Sequence, residues 1–218
     1  DHLEDYYPAN NHLLANLCGL VWLGLYLQPA PEAARWLKFA LPALTKALAE
    51  QVLPDGTSYE SSTNYHWLNC EMVLWTIALC QLNEQIVPDE LLALSEKMAT
   101  ALADLVLPGG RLPLFGDNDS GHWLLLADPT LRDTLALAAA VHQRAEWAPQ
   151  GENPAPLPLW AGKKLPANQA NSPSDSSLSA AGWGVLRSRT HGLPAALAYT
   201  AGKVYPEGWG GHAHNDGL

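Results

Sequence analysis

Positive charge is scarce in this chain: 12 Lys and Arg stand against 22 Asp and Glu, a net of -10. That excludes a role resting on nonspecific attraction to nucleic acid, which needs many cations to neutralise phosphates. An anionic polysaccharide is not excluded, because a local basic cleft can oppose the global charge. Cysteine is scarce too. Cys18, Cys70 and Cys80 each lie within an apolar helical pattern and form no CxxC, so they read as small core residues. No apolar run of about 18 residues lacks polar breaks, which leaves no candidate transmembrane helix. Residues 13–27 come nearest to a signal-peptide core, but no basic segment precedes them, and Asn16 and Gly19 interrupt them. Phe occurs twice, against nine Trp and seven Tyr. Amphipathic aromatics fill cores, and they also stack on sugar rings.

What is present is 218 residues, 48% of them hydrophobic, enough for a substantial core in one large or two smaller domains. Residues 11–27 read as an apolar helix stopped by Pro29 and Pro31. A second helix is expected over 31–52, opening on Pro31-Glu32. A third covers 62–85 with Ser61 or Ser62 as N-cap, and a fourth covers 88–107, opening on Pro88-Asp89-Glu90. Residues 121–127 are ambiguous. A further helix is expected over 129–147, capped by Asp128 with Pro129 at its first position. Val52-Leu53-Pro54 and Val106-Leu107-Pro108 both end helices, one hairpin apart, an echo that points to stacked helix pairs in a solenoid or toroid.

Pro, Ala, Asn and Ser dominate residues 148–179, which read as a linker or wrapping segment. The pattern then turns strand-like. Residues 182–188 and 195–201 are expected to pair around Gly192-Leu193-Pro194. Two or three strands do not make a stable sheet domain alone. The expected organisation is therefore a helical domain over 1–147, a linker over 148–179 and the start of a β domain over 180–218. The chain is expected to be part of something longer.

Four clusters carry chemistry. Gly211-His212-Ala213-His214-Asn215-Asp216-Gly217 places two imidazoles and a carboxylate at alternate positions, which share one face of an extended segment. Imidazole binds metals, moves protons and stabilises charge, and a carboxylate orients it. The others are Asn10-Asn11-His12 at a helix start, Tyr59 to His66 ahead of an apolar helix, and Gly116-Asp117-Asn118-Asp119-Ser120-Gly121. The last looks like a calcium loop but lacks the closing Glu of an EF-hand. Each also has a plain reading: an Asn cap, a capping segment, an Asx-rich turn, a glycine-rich loop.

In order, NNH, DG-x-x-x-E-x-S-x-x-YH, FGDxDxG, GWGVLRS and GHAHxD resemble the heparinase II/III-like polysaccharide lyases, a group that includes related alginate lyases. The resemblance runs from Asn10 to Asp216. It implies an incomplete (α/α) toroid followed by an antiparallel β-sandwich, so the chain would hold a mainly α toroid and the first sandwich strands. It implies β-elimination at a uronic acid, with a periplasmic or secreted location. The C5 proton is a poor acid until the adjacent carboxylate is neutralised, the task of an oxyanion hole. The resemblance gives that task to Asn11 with His12 assisting, and proton transfer to Tyr65 and His212. Glu60, Asn64, His66, Arg187 and Trp209 would bind substrate.

His214 matches a residue that holds a structural zinc in some members. Only Asp216 stands near it, so the resemblance implies an incomplete site here and a zinc only in the complete protein. The chemistry itself calls for no cofactor. The implied partner is an anionic polysaccharide. Among few cations Arg111, Arg187 and Arg189 are the best placed, which favours an unsulfated uronate polymer. Two alternatives stand beside this: a glycoside hydrolase pairing Glu60 with Asp117 or Asp119, and a non-catalytic exopolysaccharide-binding protein. Geometrically, Asn11, His12, Tyr65 and His66 are expected at one mouth of the helical domain. Asn11 and Tyr65 should lie within about 12 Å, and His212 should face the same cleft.

Overall fold

A computed structural model describes residues 2–124, 130–148, 158, 161–167, 174–190, 192–201 and 212. Five helices lead: α1 Asn11–Tyr26, α2 Pro31–Gln51, α3 Thr63–Leu82, α4 Asp89–Asp104 and α5 Leu131–His142. A 3-10 turn, Ala145–Trp147, follows. An antiparallel sheet comes after them, with β1 Ser176–Leu178, β2 Trp183–Thr190 and β3 Leu193–Thr200 in the order β1-β2-β3. The chain is mainly α, helices before strands, as its patterning predicts. Among the described residues no helix is long and apolar enough to cross a membrane.

Local chemistry sets the helix starts. The Asn10 side chain accepts from the His12 N–H and caps α1, and Ser62 accepts from the Tyr65 N–H and caps α3. Helix α5 departs from expectation. It is capped by Thr130 rather than Asp128, because Thr130 and Asp133 form a reciprocal capping box. It stops at His142, where Gln143 takes a left-handed conformation (φ 55, ψ 40), so only a 3-10 turn occupies the end of the expected 129–147 helix.

Helix α1 packs on α2 and α3, and α3 packs on α4 and α5. This puts α3 in the interior, and its run of Cys70, Met72, Val73, Leu74, Trp75, Ile77 and Ala78 is buried on all sides. The cysteines are core residues. Burial pushes the Cys18 thiol up to about 12 and the Cys80 thiol to about 11. Each of the two Val-Leu-Pro turns is closed by an isolated antiparallel bridge, but at different positions and spans, Val52 to Ser58 and Leu107 to Arg111.

A second core joins helix ends to sheet. Leu53, Tyr59, Ala101 and Leu105 meet Leu178, Ala181, Trp183 and Val185. The Asp55 carboxylate accepts the Ala180 and Ala181 N–H groups at 2.6 and 3.0 Å. Strand β1 lies in the stretch expected as linker, and its register pairs Ser176 with Val185. The β2–β3 turn is tighter than expected. Gly192, at φ 81, takes the chain round, and Pro194 is already in β3 opposite Arg189, on an outer strand of the sheet where a missing N–H is tolerated.

Candidate active site

Glu60 organises the site. It sits two residues before the α3 cap and is 3% exposed. Its Oε1 accepts the Asn11 side-chain amide at 2.7 Å and the Asn11 backbone N–H at 3.2 Å, and its Oε2 accepts the Asn69 amide at 2.9 Å. Asn69 lies one helical turn after Tyr65, which is why both reach the same region. Below, Ser58 ties the turn to α3. Its hydroxyl accepts from Asn69 at 3.2 Å, and its N–H donates to His66 Nδ1 at 3.2 Å.

Tyr65 and His212 form a stacked pair. Their rings are parallel (7°) with centroids 3.6 Å apart. The Tyr65 hydroxyl donates to the Asp119 carboxylate. Burial first, and then that hydrogen bond, raise the Tyr65 pKa above the usual phenol value, so the ring stays a protonated donor. His212 Nδ1 lies 3.2 Å from Asp117 Oδ2, and its Nε2 lies 3.8 Å from Glu60 Oε1. The Asp117 backbone N–H also donates to the His212 carbonyl at 2.8 Å. Close backbone approach makes this docking possible. Gly116 is at φ 70, and a Cβ there would stand 2.4 Å from the His212 carbonyl oxygen and 2.7 Å from that of Ser61, so only glycine fits.

The structure brings Asn11, Glu60, Tyr65 and His212 together, with Asn11 and His212 both reaching one Glu60 oxygen. It separates others from them. His12 projects to solvent and pairs with Glu4 at 2.7 Å, away from the carboxylate that Asn11 reaches. His66, expected to bind substrate, is fully buried; its Nε2–H donates to the Met98 carbonyl, and burial holds its pKa down to about 4. Arg187, also expected at substrate, donates instead to the Asp104 and Val106 carbonyls and clamps β2 to the end of α4. Asn64 is 9% exposed and lines a cavity beside Trp67. Trp209, His214 and Asp216 lie outside the described residues. Among the described residues no group of three or more His, Cys, Asp or Glu is arranged to hold a metal.

Sequence reasoning missed Asn69, Glu71 and His122. Asn69 was readable as the i+4 neighbour of Tyr65. Glu71 is fully buried on α3, and its Oε2 lies 3.2 Å from His122 Nδ1. That contact joins residues 51 apart, which no local pattern announces.

The Heparinase II/III N-terminus family model matches residues 1–132, more than half of the chain, and the chain belongs to that family. It is 28% identical over 121 residues to a heparin-sulfate lyase of Bacteroides stercoris, covering 53% of this chain and 18% of that protein. A heparin-sulfate lyase of Pedobacter heparinus is 26% identical over 121 residues, with 54% and 18% covered. The crystal structure of a heparan sulfate lyase HepC mutant from Pedobacter heparinus superposes with a TM-score of 0.64 at 21% identity, over 92% of this chain and 30% of that one. The chain therefore spans less than a third of the length of these relatives.

Proposed function

We propose that this chain carries the helical half of the active site of a polysaccharide lyase acting on a uronic-acid-containing polymer by β-elimination. The observation that carries the reading is the Tyr65–His212 stack, each ring bound to its own carboxylate, beside an Asn11 amide fixed on Glu60. The second N–H of that amide donates to the substrate carboxylate and stabilises the charge that develops when C5 loses its proton. Asp117 accepts from Nδ1–H of a neutral His212, which leaves the Nε2 lone pair to take the C5 proton. The C5–H electrons form the C4–C5 double bond as the C4–O bond breaks, and Tyr65 gives its proton to the departing oxygen. His212 then returns its proton to Tyr65. No step uses a metal. Elemental analysis of the complete protein tests the zinc proposed at His214. Location outside the cytoplasm fits a polymer too large to enter a cell.

The hydrolase alternative needs a carboxylate free to activate water. Both Glu60 oxygens are instead engaged by amides, which favours elimination. The test is ultraviolet absorbance of the unsaturated uronide when the full-length protein meets sulfated and unsulfated uronate polymers. Chain cleavage with no absorbing product would make it a hydrolase; binding with no cleavage would make it a carbohydrate-binding protein. Tyr65→Phe should cut the absorbance rate by about 10²–10⁴-fold with the fold intact. Near-normal turnover would remove Tyr65 from the mechanism.

A further inference from the structure

A cavity of about 680 Å³ adjoins the segments that carry Tyr65 and Asp119. Its lining includes Asn64, Trp67, Arg111, Asn118, Pro194 and Ala196. Its size falls in the range of small-molecule sites, roughly 300–1,000 Å³. The two sites share the same segments. Tyr65 and Asp119 meet each other, whereas their neighbours Asn64 and Asn118 line the cavity.

Three features make it more than a crevice. The Arg111 guanidinium has no ion pair or hydrogen bond among the described residues, although the chain carries a net charge of -10. Its backbone is tied by the Leu107 N–H, which donates to the Arg111 carbonyl at 2.8 Å, so the cation stands on a braced turn. The Asn64 side-chain amide also has no partner among the described residues, and the residue is 91% buried (9% exposed). Its polar end is open to the cavity rather than sealed in the protein, so it is free to bond a ligand. The third feature is the Trp67 ring. Its Nε1 donates to Thr134 at 2.8 Å, and His122 packs edge-on at 4.9 Å. The indole is therefore a fixed plate.

We infer that this cavity binds an acidic sugar unit of the same polymer, as an auxiliary subsite next to the reacting one. Trp67 offers the apolar face of the ring a stacking surface. Arg111 takes the carboxylate or sulfate through its planar fork. Asn64 bonds a hydroxyl. The inference rests on the polysaccharide reading of the neighbouring site but not on its elimination chemistry.

Calorimetric titration tests it, with the full-length protein carrying Tyr65→Phe so that turnover is slow during the titration. The probes are a glucuronate-containing tetrasaccharide, its carboxyl-reduced neutral counterpart and free glucuronic acid. Adding Arg111→Gln should weaken tetrasaccharide binding about 10- to 100-fold, the range for a charged hydrogen bond, and shrink the preference over the neutral probe accordingly. Among the described residues the Arg111 side chain bonds nothing, and its backbone bond to Leu107 is untouched by the substitution, so this variant keeps its fold. Asn64→Ala should weaken both oligosaccharides. Unchanged affinity in Arg111→Gln, no preference in the parent, or binding of free glucuronic acid as tight as the tetrasaccharide would each overturn the subsite. Product absorbance separates the two readings. If Arg111-dependent binding persists without any unsaturated product from the Tyr65-intact protein, the lyase reading falls and the subsite stands. If product forms and Arg111→Gln leaves both affinity and KM unchanged, the subsite falls and the lyase reading stands.

Discussion

Glu60 and Glu71 are both buried carboxylates, at 3% and 0% exposure, eleven positions apart in the chain, yet they are held in opposite ways. Three N–H groups from Asn11 and Asn69 converge on Glu60, and none of them titrates. Glu71 has a single imidazole, His122, and its Oε1 has no partner among the described residues. Shared support by neutral donors fixes the direction of an anion while leaving neighbouring groups free for chemistry. Support by one ring makes the pair a structural rivet, with all of its compensation in one contact.

The largest expected effect comes from removing that contact. His122→Ala leaves Glu71 buried and unpaired, and should lower stability by about 3–5 kcal/mol in urea unfolding. Adding Glu71→Leu should recover most of the loss. Asn69→Ala, on the other side, removes one donor of three and should cost about 1–3 kcal/mol. If it costs as much as His122→Ala, the contrast between shared and single support is wrong.

Next comes pH. His66, under the Glu60 turn, has its pKa held down to about 4 by burial, against about 6.5 when unfolded. The unfolded chain therefore takes up a proton that the folded one refuses. The resulting stability is fully present above about pH 6.5 and is lost as pH falls to about 4, by about 3 kcal/mol. Unfolding midpoints across that window check it. In His66→Gln the drop between those two pH values should shrink by the same amount, whatever the variant loses at neutral pH.

The smallest effect tests the Glu71 side from a distance. Thr130→Ala removes half of the capping box of α5 and should cost about 1 kcal/mol. That helix carries Thr134, which anchors the Trp67 indole against His122. A loss well beyond the cap's own worth would mean that α5 supports the rivet more than its start implies.

These contrasts also explain what was legible in the sequence. The helix positions follow from periodicity, proline and caps, and Asn11, Tyr65 and His212 stood out by residue type and order. What failed was the reading of neighbours. Asn11-His12 and Tyr65-His66 look like matched pairs in a string of letters. Adjacent residues on a helix point about 100° apart, so Asn11 reaches Glu60 while His12 meets solvent, and Tyr65 faces the site while His66 enters the core. Arg187 was misassigned for a related reason. Its side chain follows the docking of sheet on helices, which strand alternation alone does not specify. Glu71 and His122 were invisible because nothing within a turn of either residue signals the other.

One backbone contact bears on timing. His212 is docked by its carbonyl on the Asp117 N–H, over a glycine that leaves no room for any other residue. The partners it meets among the described residues precede residue 120 and lie in the helical part of the chain, which is able to pack while the ribosome is still at work, since domains fold as units from the N-terminal side during synthesis. The stacked pair therefore comes into being late. A nascent chain holds Tyr65, Glu60 and Asn11 without their imidazole until the segment bearing residue 212 has emerged and settled into its notch.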